Sequence, residues 1–353
     1  MRNKNILIYI ALLPALLPMA KDAFAQKQRY TTACIAFYNL ENLFDTINSP
    51  NTNDSEFLPD GPYRWTAERY GQKLRNMAAV IRRIGAKGFP TAPTILGVAE
   101  VENRLVLEDL IKTPPLNELD YGIVHYDSPD ARGVDVGLLY RKSHFRVLGS
   151  RSARLKVQGA PRLRSRDQLV VSGLLNGELM HIIVMHWPSR RGGERRSKPL
   201  RDGAAALCRS LVDSLYRADA NAKIIVMGDL NDDPNNESLT GILKARPSVE
   251  ETEKGGLYNT MYHWFKDGIG SMAWRDSWNL FDQIIVSEPL LGKDFSTYKL
   301  YKSGVFNEDF LKQKDGRYAG YPFRTYSGGA FIGGYSDHFP TYVYLMREVR
   351  TKN

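Results

Sequence analysis

The chain has 353 residues, 43% hydrophobic and 25% charged, with a formal charge of +9. This is an ordinary globular composition, long enough for one large core or two small ones, and it contains no internal repeat, low-complexity tract or Cys/His cluster with zinc spacing. A basic balance favours polyanionic partners such as nucleic acids or anionic lipid headgroups without choosing between them.

In chain order, Arg2 and Lys4 precede an apolar run from Ile6 to Ala20, and Ala23-Phe24-Ala25 fits a small-x-small cleavage site. Residues 1–25 read as a signal peptide, which places the protein in the periplasm or outside the cell. The segment holds a net +2 and leaves +7 on a single domain of residues 26–353. No other stretch is long and apolar enough to span a bilayer.

Cys34 to Leu40 reads as a strand running into Glu41 and Asn42. Thr66 caps a predicted helix to about Gly85, with Tyr70, Leu74, Met77, Ile81 and Ile84 at helical spacing. Thr94 to Ala99 is a buried strand ending at Glu100, and Leu105 to Ile111 is helical. Tyr121 to His125, Val134 to Tyr140 and Phe145 to Gly149 read as strands. Gln168 to Leu175 and Glu178 to His186 form a hairpin around Asn176-Gly177. Pro199 to Tyr216 is an amphipathic helix, Lys223 to Met227 a short apolar strand, and Leu280 to Val286 and Thr341 to Leu345 complete the set. Export would permit a disulfide between Cys34 and Cys208, but each falls on an element where it reads as a buried thiol. Two runs of strands with a few helices predict an α+β sandwich, two mixed sheets face to face with helices outside.

Polar residues cluster just after apolar strands. They are Asn39, Glu100, His186, Asp229 with Asn231, and Asp337 with His338, while Asp282 sits inside an apolar run. Singly, each has an ordinary reading as a cap, turn or surface group. As an ordered set they supply the oxygens a hard cation such as Mg²⁺ prefers and two imidazoles for proton or phosphate work. An acid placed like Asp282 needs a partner, either a catalytic imidazole or a base such as Arg275.

On Gly228-Asp229-Leu230-Asn231 and Ser336-Asp337-His338, with Asn39 and Glu100, the sequence resembles the endonuclease/exonuclease/phosphatase (DNase I-like) superfamily from about Ala33 to Tyr344, in the manner of an exported bacterial member. The resemblance implies a DNase I-like four-layer sandwich and a Mg²⁺-dependent phosphodiesterase, with Mn²⁺ as a substitute. It makes Glu100 the main metal ligand, with Asn39 beside it and Asp337 at its edge. It makes Asp229 the group that orients or deprotonates the attacking water, and Asn231 a donor to the phosphate. His338 pairs with a buried acid, a place Asp282 fits, and His186 donates to the phosphate or leaving oxygen. Asp282 is followed by Gln283, where members often carry Arg or His. The segment Ser277-Trp278-Asn279-Leu280-Phe281-Asp282 lacks the cysteine and arginine typical of inositol phosphatases, which lowers that reading.

Two basic regions offer contacts to a polyanion. One is Arg151 to Arg166. The other is Arg190, Arg191, Arg195 and Arg196, around a pliable Gly192-Gly193, and there Arg190 and Arg191 are the candidate substrate-binding residues. Aromatic and basic residues from Tyr298 to Tyr335 can stack unpaired bases, dip into a lipid interface or pack a long loop on the core. A nuclease acting on DNA or RNA comes first. A phosphatase or sphingomyelinase-type phospholipase on a smaller phosphoester or lipid headgroup comes second, and a catalytically dead binding module third. No stable protein partner is implied.

Overall fold

The computed structural model describes residues 29–50, 52–86 and 92–349; the expected signal peptide lies outside them. The strands β1 (Tyr30–Leu43), β2 (Ile95–Val101), β3 (Tyr121–His125) and β4 (Asp135–Arg141) come first, with helices α1 (Ala67–Ile81) and α2 (Arg104–Lys112) between them. Then follow β5 (Phe145–Ala153), β6 (Gln168–Leu175), β7 (Glu178–His186), α3 (Glu194–Ala218), β8 (Ile224–Asp229), β9 (Ala245–Arg246) and β10 (Leu257–Asn259). After a short helix α4 (Tyr262–Lys266) come β11 (Met272–Trp274), β12 (Ser277–Asn279), β13 (Asp282–Ser287), β14 (Lys299–Val305), a small pair β15 (Tyr326–Ser327) and β16 (Ala330–Phe331), and β17 (Thr341–Glu348).

Side-chain alternation sorts these elements into layers. In β1, Ile35 and Phe37 pack with Ile182, Ile225 and Ile284 of the opposing sheet, while Ala36, Tyr38 and Leu40 pack with Met77 and Ile81 of α1. In the second sheet Ile183 and Met185 turn away from that interface and meet Ala204, Cys208 and Leu211 of α3. The layers therefore run helix, sheet, sheet, helix, as the resemblance implied. Each large side chain so buried contributes about 1.5–3 kcal/mol.

The first sheet runs β14-β17-β1-β2-β4-β3 and the second β5-β6-β7-β8-β13-β10-β9. Each contains a parallel pair, β1 with β2 and β7 with β8. Both pairs end at the same rim, where the site lies. Gly228, near the end of β8, lies so close to β7 that a Cβ there would stand 2.0 Å from the Met185 carbonyl oxygen. Alanine at this position would push apart the strand ends that carry His186 and Asp229.

Several boundaries differ from expectation. α1 ends at Ile81 and turns continue to Ala86, with Thr66 capping through a 3.4 Å bond from the Arg69 amide. α3 begins at Glu194, so Arg195 and Arg196 belong to its exposed first turn and not to a pliable loop. β14 and the β11–β12 hairpin carry no strong strand signal. Both cysteines are buried and free. No described helix is long and apolar enough to cross a membrane.

Candidate active site

The ends of the parallel strands are bent sharply where their polar residues begin. Glu41 and Asn42, Glu100, and Asn231 all have positive φ, at 49°, 52°, 59° and 50°. The ladders β1/β2 and β2/β4 shift register at the first two places. A left-handed non-glycine residue costs on the order of 1 kcal/mol or more, and the cost turns side chains toward the rim that a regular strand would send to alternate faces.

Asp229 is the hub. Its Oδ2 accepts from Nδ2 of Asn39 at 3.1 Å and lies 3.4 Å from Nε2 of His186 and 3.9 Å from Nε2 of His338. Its Oδ1 accepts from the Asn231 amide at 3.0 Å. Burial, with the negative charges of Asp282 and Glu100, lifts its carboxyl to about 7 against the opposing pull of His338.

The two imidazoles are in opposite states. His338 gives Nδ1 to Asp282 at 2.6 Å. Burial opposes its charge, but Asp282, Asp229 and Asp337 hold it well above the usual histidine range. His186 is depressed well below that range by burial and by Arg166, Arg132 and His338. The two rings are therefore pushed in opposite directions, His338 toward the charged form and His186 toward the neutral one. Asp282 is fully buried and takes a second bond, 2.5 Å, from the Ser271 hydroxyl. This settles the two readings of Asp282: it pairs with the imidazole, while Arg275 sits over the Trp274 ring on an exposed hairpin tip.

Glu100 uses Oε2 to accept from the Asn42 amide at 3.1 Å. Its Oε1 faces His186 at 4.0 Å and Arg132 at 3.7 Å, both longer than a hydrogen bond. Asp337 is half-buried and receives Nη2 of Arg324 at 2.9 Å. Despite burial, His338, Arg324 and Lys73 hold its carboxyl below the usual range. Arg324 also reaches Glu41 at 3.2 Å, and Glu41 lies 3.7 Å from the buried Lys73. The Ser336 hydroxyl donates to the Asn39 carbonyl at 2.7 Å, stitching the segment before β17 to β1.

A model of the endonuclease/exonuclease/phosphatase family matches residues 34–347. The chain belongs to this family. Its members are hydrolases of phosphoester bonds and are typically metal-dependent. No curated protein matches the sequence. Among solved structures, a family protein from Bacteroides thetaiotaomicron is 18% identical, covering 92% of this chain and 99% of that one with a TM-score of 0.54. A mannosyl-6-phosphatase from Bacteroides thetaiotaomicron is also 18% identical, covering 89% and 99% with a TM-score of 0.52. D. rerio TDP2, complexed with a single-strand DNA product, is 14% identical, covering 89% and 99% with a TM-score of 0.52. These likenesses establish the shared sandwich fold.

Within this family member, the oxygens of Glu100, Asn39 and Asp337 suit a hard divalent cation. A different grouping, Asp229, Asp282 and His338, brings potential ligand atoms within 4.8 Å of one another. The 2.6 Å contact between Asp282 and His338 is that of a hydrogen-bonded ion pair, and the pair accounts for the grouping.

The two arginines singled out in the sequence have different places. Arg190 is tied down: it donates to the Asn231 carbonyl at 2.9 Å and to Asp232 at 3.1 Å, and lies over the Phe281 ring. Arg191 is exposed. Arg166, counted with the surface bases, is buried. It donates to the His186 and Trp187 carbonyls and to Asp130 at 3.0 Å, and so supports the strand end that carries His186. Ser271, Arg324, Lys73 and Glu41 also support the site without having been singled out. Lys73 alone had a visible signal, a cation among the residues of the apolar stripe of α1.

Proposed function

We propose that the protein is an exported Mg²⁺-dependent phosphodiesterase that cleaves DNA or RNA by in-line attack of water on phosphorus. The observation that carries this reading is the geometry of Asp229, a buried carboxyl 3.1 Å from Asn39, 3.4 Å from His186 and 3.9 Å from His338, whose surroundings raise it to about 7. A base with that affinity is matched to taking a proton from water near neutral pH. His338, held charged by Asp282, presents Nε2 to the phosphate and stabilises its growing negative charge. Neutral His186 and the amide of Asn231, which donates to the Trp187 carbonyl at 3.0 Å and has a second hydrogen, complete the donors.

Glu100, with Asn39 and Asp337, would hold Mg²⁺ or Mn²⁺, which supplies charge neutralisation at the phosphate oxygens. Nucleic acid is favoured as substrate by the net charge of the chain and by the exposed Arg151, Arg154, Lys156, Arg162 and Arg164 on and after β5.

The test is a panel of plasmid, single-stranded DNA, RNA, mannose 6-phosphate and sphingomyelin, each with Mg²⁺ and with excess EDTA. Cleavage of nucleic acid that stops in EDTA and returns with Mg²⁺ or Mn²⁺ is expected. Full turnover in EDTA rejects the metal mechanism. Turnover confined to the phosphosugar or the lipid replaces the nuclease with a phosphatase or phospholipase.

A further inference from the structure

Beside the site lies a cavity of about 550 Å³, within the ~300–1,000 Å³ usual for ligand pockets. Both of its walls grow out of the catalytic machinery. The β11–β12 hairpin begins after Ser271, the residue bonded to Asp282. The opposite wall belongs to the segment that carries Arg324, the partner of Asp337. Tyr321 ties the walls together, its hydroxyl donating to Asp276 at 2.7 Å and its ring 5.6 Å from that of Trp278.

The hairpin turn is Arg275-Asp276, both with positive φ, at 48° and 63°. A two-residue turn of this hand ordinarily takes Asn-Gly. Here a strained turn displays Trp274 on the cavity, 61% exposed. Tyr318 faces the same space, 48% exposed, and Arg275 and Arg317 lie over the rings of Trp274 and Tyr318 respectively.

We infer that this cavity receives an unpaired nucleobase of the strand whose phosphate is being cleaved. The inference rests on the nuclease reading above and specifies its substrate as single-stranded or locally unpaired. Exposed aromatic faces stack any base. The flanking guanidinium groups suit the neighbouring phosphates, and Arg324 connects the cavity to the metal-binding edge. A sugar would look for several carboxylate acceptors, whereas the cavity lining offers one, Asp276, with one of its oxygens already held by Tyr321.

The experiment compares two labelled eight-nucleotide strands with identical phosphates, one of thymidine and one of abasic units. A stacked base is worth about 1–3 kcal/mol, so wild-type kcat/KM should favour thymidine by on the order of 10- to 100-fold. Trp274→Ala and Tyr318→Ala should each erase most of that preference and leave cleavage of the abasic strand unchanged. Equal cleavage of both strands by wild type, or equal losses on both strands in the variants, overturns the inference.

Binding is read separately in EDTA, as quenching of tryptophan fluorescence by the thymidine strand and not by the abasic one. Quenching that Trp274→Phe abolishes supports base binding in the cavity even if no nucleic acid is hydrolysed, in which case the nuclease reading falls and takes with it only the claim that the bound strand is the one cleaved. Quenching by mannose 6-phosphate with none by the strand overturns the inference and leaves the hydrolase standing.

Discussion

Asp282→Asn tests the catalytic unit most directly. Asparagine keeps the volume of a fully buried side chain and removes the charge facing His338 at 2.6 Å. A positioned acid–base group contributes on the order of 10²- to 10⁴-fold, and a 100-fold loss is about 2.7 kcal/mol of barrier. We expect His338→Ala to lower kcat at least that far, Asp282→Asn to approach it, and the double variant to be little worse than His338→Ala, since both changes remove one unit.

The pH profile adds a sign. Turnover needs Asp229 without its proton and His338 with it, so kcat/KM should rise on the acid side, at or below pH 7 with a cation nearby, and fall on the alkaline side. Asp282 holds His338 up, so Asp282→Asn should move the alkaline limb to lower pH. Stability follows the same linkage. A histidine raised in the fold stabilises it below its unfolded value of about 6.5, and that share is lost as pH climbs through the folded value. The urea midpoint of metal-free Asp282→Asn should therefore lag wild type most in acid and approach it in alkali. Losses that multiply independently, or an alkaline limb that stays in place, would make Asp282 a structural acid and refute the scheme.

Arg191→Ala should raise KM on polymeric DNA and flatten its salt dependence with kcat unchanged, whereas Arg190→Ala should also lower kcat on a small diester, because Arg190 holds the Asn231 carbonyl; steady-state kinetics at several salt concentrations separates them. Arg166→Met leaves buried Asp130 with only Arg132, 3.7 Å away, as its cation and removes the donors to the His186 and Trp187 carbonyls; it should cost about 3 kcal/mol, read from urea unfolding. An unchanged midpoint would return Arg166 to the surface bases. Amino-terminal sequencing of the exported protein should begin near Gln26, and an intact Met1 terminus in the soluble cytoplasm would contradict export.

The candidate set was legible in part because Asn39, Glu100, His186 and Asp229 lie at or near the ends of apolar strands, where a sandwich places polar groups; Asp282 instead heads β13 and Asp337 and His338 precede β17, and only their motifs marked them. The hairpin around Asn176-Gly177 was legible for a similar reason, since its turn chemistry is explicit. The β11–β12 hairpin was not: its turn positions are filled by Arg275 and Asp276, and its strands are three residues long. β14, with the sequence Lys-Leu-Tyr-Lys-Ser-Gly-Val, is an edge strand whose basic residues hide the alternation. Arg166 looked like its neighbours because a run of like charges does not reveal which member turns inward. Contacts to carbonyl groups, such as those Arg166 makes at His186 and Trp187, leave no mark on the chain at all.

The place of β17 sets the timetable of folding. It lies between β14 and β1 and pairs Tyr30 with Glu348 at one end and Phe37 with Thr341 at the other. During synthesis β1 must wait, with one edge bare, until the whole second sheet has been made. Pairings so distant along the chain form slowly, and a bare edge in the meantime invites aggregation. Asp337 and His338 immediately precede β17, and Ser336 closes the seam on Asn39. Hydrolytic activity should accordingly be the last property to return on refolding, appearing with the strand that covers the bare edge of β1.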